Sequence, residues 1–220
     1  MALPKLTTPT YELEIPSTDE KIKYRPFLVK EEKILMLAME SNAASDITQA
    51  VKDIVSECTF NKVNISNMPM FDVEYIFLQI RSKSVGEVSK LRLLCPDDKK
   101  TYADVELDLN EVKVQVGDDH TNKIELTKDM GMIMTYPTID SFRDSGIRDI
   151  NAGNMLEVIS GCIMQIYEEE GKKVYDPKDQ TKKELTEFIE QLSTKQFKDV
   201  QKFFETMPKL KHEITIKNPK

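Results

Sequence analysis

The stretch Tyr24-Arg25-Pro26-Phe27-Leu28-Val29-Lys30-Glu31-Glu32-Lys33 carries an extended segment through a proline into an amphipathic helix. Pro26 disfavours helical backbone at Arg25, so a strand must end there and a helix can begin only beyond it. Upstream, Tyr11, Leu13 and Ile15 alternate with Glu12 and Glu14; after Pro16-Ser17-Thr18-Asp19-Glu20, Ile22 and Tyr24 alternate with Lys21 and Lys23. That pattern predicts a hairpin with one apolar face, its outward glutamates set against lysines across the strands. Downstream, Ile34, Leu35, Leu37, Ala38 and Met39 predict a broad apolar helix face that runs from Lys30 to Ser41-Asn42, with Glu31 and Glu32 at the positive end of the helix dipole. Arg25 is the costly residue of the junction. Flanked by Tyr24 and Pro26-Phe27, its guanidinium must stay at the surface, stack on an aromatic ring or find an acidic partner, because an unpaired buried charge is expensive.

A second helix is expected from Ser45 or Asp46, either of which can cap it, with Ile47, Val51, Ile54, Val55 and Cys58 on one stripe. A third opens at Met68-Pro69-Met70, is the most apolar of the chain, and ends at the basic Arg81-Ser82-Lys83 before Gly86. From Glu87 the period turns to alternation: Leu91 and Leu93, then Val105, Leu107 and Leu109, flank a turn at Pro96 to Lys100, and shorter strands follow at 112 to 116, 124 to 126 and 132 to 134. Residues 141 to 154 read as an irregular linker. A helix is expected from Met155 to Ile166, with Gly161 marking close approach of another backbone. A charged, exposed excursion from 168 to 183 precedes two short helices around Leu185 to Leu192 and Phe197 to Phe204, expected to pack antiparallel, and Ile214 and Ile216 predict a strand over 213 to 217. That strand needs a partner from elsewhere, from another subunit or from a longer product. The fold class is α+β, mainly helical with an N-terminal β-hairpin and an inserted small antiparallel β unit. It divides into a flexible arm (1–10), the hairpin plus helices (11–86), the β unit (87–138) and a C-terminal helical part ending in a short strand (139–220).

Composition excludes more than it assigns. With 38 acidic against 31 basic residues the net charge is -7, which opposes general affinity for nucleic acid and leaves only the basic segment from Arg81 to Arg92 as a nucleic-acid-binding alternative. No aromatics are interleaved there to stack on bases. No stretch has the apolar length of a membrane span, and Met1 to Lys5 lack the core of a signal peptide, so the expected place of the protein is the cytosol. Cys58, Cys95 and Cys162 are widely spaced and predict reduced, buried thiols. Cys95 stands where a zinc knuckle would place its first thiolate, but no second cysteine follows, and neither His120 nor His212 completes a metal or nucleophilic set. Both histidines are expected at the solvent-facing surface. Phosphate-loop, dinucleotide, hydrolase and metalloprotease signatures are missing, so no enzyme activity, cofactor or metal is expected.

Tyr24 to Lys33 with the helix to Glu40-Ser41, Arg81 to Glu87 after an apolar helix, Met132 to Thr138 after the β unit, and Phe203 to Pro208 near the end together resemble the baseplate hub proteins of T4-like contractile-tailed bacteriophages. The resemblance spans nearly the whole chain. It implies a non-enzymatic role in assembly of the central baseplate hub, as a hub component or assembly chaperone, in the host cytoplasm and then in the tail baseplate. Its implied partners are other tail or hub proteins, including the tape-measure protein, or further copies of this chain in an oligomer. The residues best suited to touch such partners are Tyr24, Arg25, Phe27, Lys30, Arg81 and Lys83.

Overall fold

The computed structural model describes residues 6–141, 154–168 and 172–219, and the linker expected at 141 to 154 lies almost entirely outside them. The chain forms two compact units, one made of residues up to Ile65, Phe71–Gln115 and Leu210–Lys220, the other of Ser66–Met70 and Val116–Lys209. Small antiparallel sheets and α-helices make up both, so the α+β class holds.

The first unit opens with the hairpin β1 (Tyr11–Glu14) and β2 (Lys21–Tyr24). Leu13 pairs with Ile22 and Tyr11 with Tyr24, while Glu12 faces Lys23 and Glu14 faces Lys21. Leu13, Ile15, Ile22 and Tyr24 are buried. The hairpin turn is tied down by Ser17, whose backbone N–H donates to Asp72 Oδ1 at 3.1 Å and whose hydroxyl donates to the other carboxylate oxygen. Asp72 lies in the first turn of α3 (Met70–Val85), which buries Phe71, Val73, Ile76 and Ile80.

Between them, α1 (Val29–Ser41) and α2 (Ala44–Cys58) pack together as a helical hairpin. Asn42 closes α1 in the left-handed region (φ 53°), where Asn is among the few residues tolerated. The next helix starts so soon that Ala43 occupies the cap position and Asp46 falls in the first turn, so neither Ser45 nor Asp46 is the cap. β3 (Val88–Leu94) pairs with β4 (Tyr102–Asp108) with Leu91 opposite Val105, and β5 (Lys113–Gln115) pairs with β10 (Lys209–Lys211). The expected strand over 213 to 217 is therefore displaced: pairing is made by residues 209 to 211, and the Gln115 side chain adds a bond to the Lys211 carbonyl.

The second unit holds a four-stranded sheet in the order β6 (Lys123–Glu125), β7 (Met130–Met134), β8 (Ile163–Glu168) and β9 (Lys173–Tyr175), every neighbour antiparallel. The helices α4 (Met155–Gly161), α5 (Lys182–Glu190) and α6 (Thr194–Thr206) accompany it. Ile124, Met132, Met134, Ile159, Ile166, Ile189, Val200 and Phe203 meet in one core.

Two expectations fail here for identifiable reasons. The helix expected through Ile166 stops at Gly161, and Ile163 and Ile166 lie on a strand. Three residues apart, they would face opposite sides of a regular strand. The pairing skips Met164, with Gln165 opposite Ile133 and Ile163 opposite Met134, and this bulge returns both isoleucines to the core. Gly161 accordingly meets no close backbone; it ends a helix. Secondly, α5 and α6 do not pack as an antiparallel pair, since α5 packs on α4 and α6 reaches β6. Thr181 and Ser193 each cap a new helix with full capping boxes, and Gln196 Nε2 donates to the Leu126 carbonyl at 2.7 Å, which directs α6 toward the sheet.

Candidate functional site

At the junction, the N–H of Arg25 donates to the Cys58 carbonyl at 2.9 Å, which anchors the end of β2 to the end of α2. The guanidinium turns inward. Its Nη2 lies 2.8 Å from Glu31 Oε1, and its Nη1 donates to the Pro26 carbonyl at 3.0 Å and reaches Cys58 Sγ at 3.7 Å. Only 11% of the Arg25 side chain and 2% of the Glu31 side chain remain exposed, so the ion pair is internal. The second carboxylate oxygen of Glu31 accepts the Leu28 N–H at 2.8 Å, filling one of the vacant donors at the start of α1. Lys30 stands 3.2 Å from Glu31 and 3.5 Å from Glu57 on the exposed side. Of the three fates open to Arg25, the acidic partner is the one taken.

The electrostatics follow from these contacts. Burial would raise the Glu31 carboxyl, but the bonds from Arg25, Leu28 and Lys30 outweigh it and hold it below the usual range. Burial would lower Arg25, and the Glu31 bond prevails and raises it. Burial pushes the Cys58 thiol up to about 11 despite the nearby guanidinium, so it packs as a small apolar group.

The six residues proposed from sequence fall into different places. Arg25 and Lys30 meet around Glu31 and Glu57. Tyr24 and Lys83 meet around Tyr11, with the two rings 5.7 Å apart and the Lys83 ammonium 5.6 Å from the Tyr11 ring centre. Tyr24 is buried, and its hydroxyl is pushed up to about 12 by that burial and by Tyr11. The Phe27 N–H donates to Ser84 Oγ at 2.9 Å near the end of α3. Arg81 is half-buried two positions before Lys83, on a different face of the same helix. Sequence reasoning missed Glu31 as the internal partner. The available signal was a lone arginine before a proline, followed by a glutamate at the third position of a helix.

Sequence reasoning also misread the outward side of α1. Of the broad apolar face expected from the sequence, Ala38 is buried and Leu35 partly so, whereas Ile34, Leu37 and Met39 are exposed, together with Val29 and Met36. Large apolar side chains thus cluster, exposed, on one helix.

Basic residues from Lys83 to Arg92 face acids: Lys83 pairs with Glu87, Lys90 lies 3.4 Å from Glu106, and Arg92 lies 3.9 Å from Asp104. Their charge is thus partly neutralised along β3 and β4, which weakens the case for nucleic acid. The expectation of solvent-facing histidines is also corrected. His120 packs against Tyr136 and Phe203, and its ring nitrogens lie 2.9 Å from Thr206 Oγ1 and 2.9 Å from the Tyr136 hydroxyl. His212 is half-buried, 3.8 Å from Glu111. The Thr206 hydroxyl donates to the Lys202 carbonyl, so it accepts from Nδ1–H, and Nε2 accepts from Tyr136. Burial lowers the His120 pKa, which favours the neutral ring. A small concavity of about 240 Å³ beside it is lined by Asp119, Thr121, Glu125, Asp199 and Lys202. Among the described residues no group of three or more His, Cys, Asp or Glu can hold a metal ion, and no helix is long and apolar enough to cross a membrane.

The described residues thus hold a hydrogen-bonded, ion-paired junction at the start of α1 and exposed apolar side chains along that helix. Comparison with curated proteins and with solved structures gave no significant match. A family model described as T4 bacteriophage base plate protein matches residues 8–220, and the chain belongs to that family.

Proposed function

We propose that this phage baseplate structural protein takes part in building the central hub of the baseplate, as a hub component or as an assembly chaperone, without enzymatic activity of its own. The observation that carries this reading is Tyr24 to Lys33, the stretch in which the chain resembles hub proteins. There the Arg25–Glu31 pair fixes the start of a helix whose outward side is apolar. Its partners are other baseplate proteins, the tape-measure protein among them, met first in the host cytoplasm. Tyr24, Arg25, Phe27, Lys30, Arg81 and Lys83, at the hairpin–helix junction and on α3, serve this contact.

Mass spectrometry of purified virions, together with pull-down from infected cells, tests the proposal. A hub component is recovered in the particle in fixed ratio to other hub proteins. A chaperone is absent from the particle but recovered with hub proteins from the cell. Recovery of no tail protein by either route would sink both.

A further inference from the structure

We infer that the outward face of α1 is a self-complementary docking surface that takes a second copy of this chain, the two α1 helices lying antiparallel. Val29, Lys33, Met36 and Glu40 follow one another at spacings of four, three and four residues, the repeat of a helix-packing seam, and Leu37 lies beside Met36. Val29 is 79% exposed, Met36 58% and Leu37 56%, and Lys33 and Glu40 are exposed as well, so the whole seam faces away from the unit that carries it. The inward side of the helix is a separate strip that holds Glu31, Leu35 and Ala38.

The charge order selects the occupant and its direction. A twofold axis between Met36 and Leu37 brings Met36 of one copy onto Leu37 of the other and sets Lys33 opposite Glu40 at both ends. Two parallel helices would place Lys33 against Lys33 and Glu40 against Glu40, which is repulsive. Neither side chain has an ion-pair partner among the described residues, so both charges stand available. A single helix-on-helix contact is at the small end of specific interfaces, below about 1,200 Å², so the dimer is expected to be a reversible one in the micromolar range. This surface is independent of whether the protein serves as component or chaperone.

Sedimentation velocity of the full chain from about 1 μM to about 500 μM tests it. The wild type should convert from monomer to dimer across that range. Met36→Asp with Leu37→Asp, at exposed positions that leave folding intact by circular dichroism, should be monomeric throughout. Lys33→Glu alone and Glu40→Lys alone each create two like-charge contacts and should weaken the dimer by roughly tenfold or more. Mixing these two variants should restore association, because a heterodimer of one with the other recovers every opposite-charge pair. A wild type that stays monomeric overturns the inference, as does a dimer indifferent to Met36→Asp with Leu37→Asp. Failure of the mixture to associate better than either variant alone overturns the antiparallel arrangement.

Discussion

Replacing Arg25 by alanine should destabilise the protein far more than replacing an exposed lysine of the same hairpin. Arg25→Ala removes the 2.8 Å contact to Glu31 and the bonds to the Pro26 carbonyl and Cys58, and leaves behind a carboxylate of which only 2% is exposed. Breaking one side of an internal ion pair costs about 3–5 kcal/mol. The Leu28 N–H and the exposed Lys30 ammonium still contact Glu31 and place the expected loss toward the lower end, about 3 kcal/mol. Lys21→Ala, on the exposed face of β2, should lie within about 0.5 kcal/mol of the wild type. The chain has no Trp, so urea unfolding is best followed by circular dichroism. Acid provides the internal control. In the wild type the Glu31 carboxyl is depressed, so its contribution is present above the unfolded carboxylate pKa and fades as pH falls through the lower folded value. Without Arg25, burial raises the same carboxyl, so its penalty grows as pH rises and vanishes when it is protonated. The gap between wild type and Arg25→Ala should therefore narrow from pH 7 toward pH 4, and Glu31→Gln in the Arg25→Ala background should recover part of the loss at pH 7. Equal stabilities of Arg25→Ala and Lys21→Ala would refute the reasoning, as would a gap that widens in acid.

Asp72 is buried and its pKa is raised by that burial against the bonds from Ser17, so the stability it contributes is full in acid and is lost as pH rises through the folded value; Asp72→Asn, which can keep both Ser17 bonds, should match or exceed the wild type at pH 7, whereas Asp72→Ala should lose about 1–3 kcal/mol in urea unfolding. His120 has a lowered pKa, so wild-type stability should fall as pH drops below about 6.5 toward the folded value, and His120→Asn should flatten that part of the pH profile. At Gly131 an added Cβ would lie 2.2 Å from the Tyr167 hydroxyl and 2.7 Å from the Ile124 carbonyl; because the second neighbour is backbone, Gly131→Ala should cost at least about 2 kcal/mol by thermal or urea unfolding, and Tyr167→Phe should not rescue it.

The hairpin of β1 and β2 was legible down to its cross-strand partners because alternation, turn residues and opposing charges all agree on one register. β8 was not, because the bulge at Met164 gives a strand the three-residue apolar spacing of a helix. His120 reads as polar surface among Asp118, Asp119 and Thr121, while the groups that hold it, Tyr136, Phe203 and Thr206, are brought to it only by the tertiary fold. For α1, the period gave one broad apolar face from Ile34 to Met39. It cannot show which side the rest of the chain will cover, and here the inward strip is narrow and contains a glutamate. That glutamate was legible as a residue suited to the helix start, and its ion-pair role became visible only with the inward turn of the Arg25 guanidinium.

The two sides of α1 make separable demands, and this bears on how the protein can act in a baseplate. Glu31 and Ala38 face inward and hold the helix to its unit, while Val29, Met36 and Leu37 face outward on the same helix. A lesion at Arg25 should release the start of the helix and so disturb both stability and whatever the outward face binds. A lesion at Met36 and Leu37 removes apolar side chains that the folded monomer leaves more than half exposed, so it should disturb binding far more than stability. If Arg25→Ala impaired assembly through a direct contact of its own, assembly would fail even where Glu31→Gln had recovered part of the stability. If Arg25 acts by positioning α1, the same second substitution should return assembly and stability together. That difference, measured in one pair of variants, distinguishes a docking residue from a residue that orients the docking helix, and the internal position of the guanidinium favours the second.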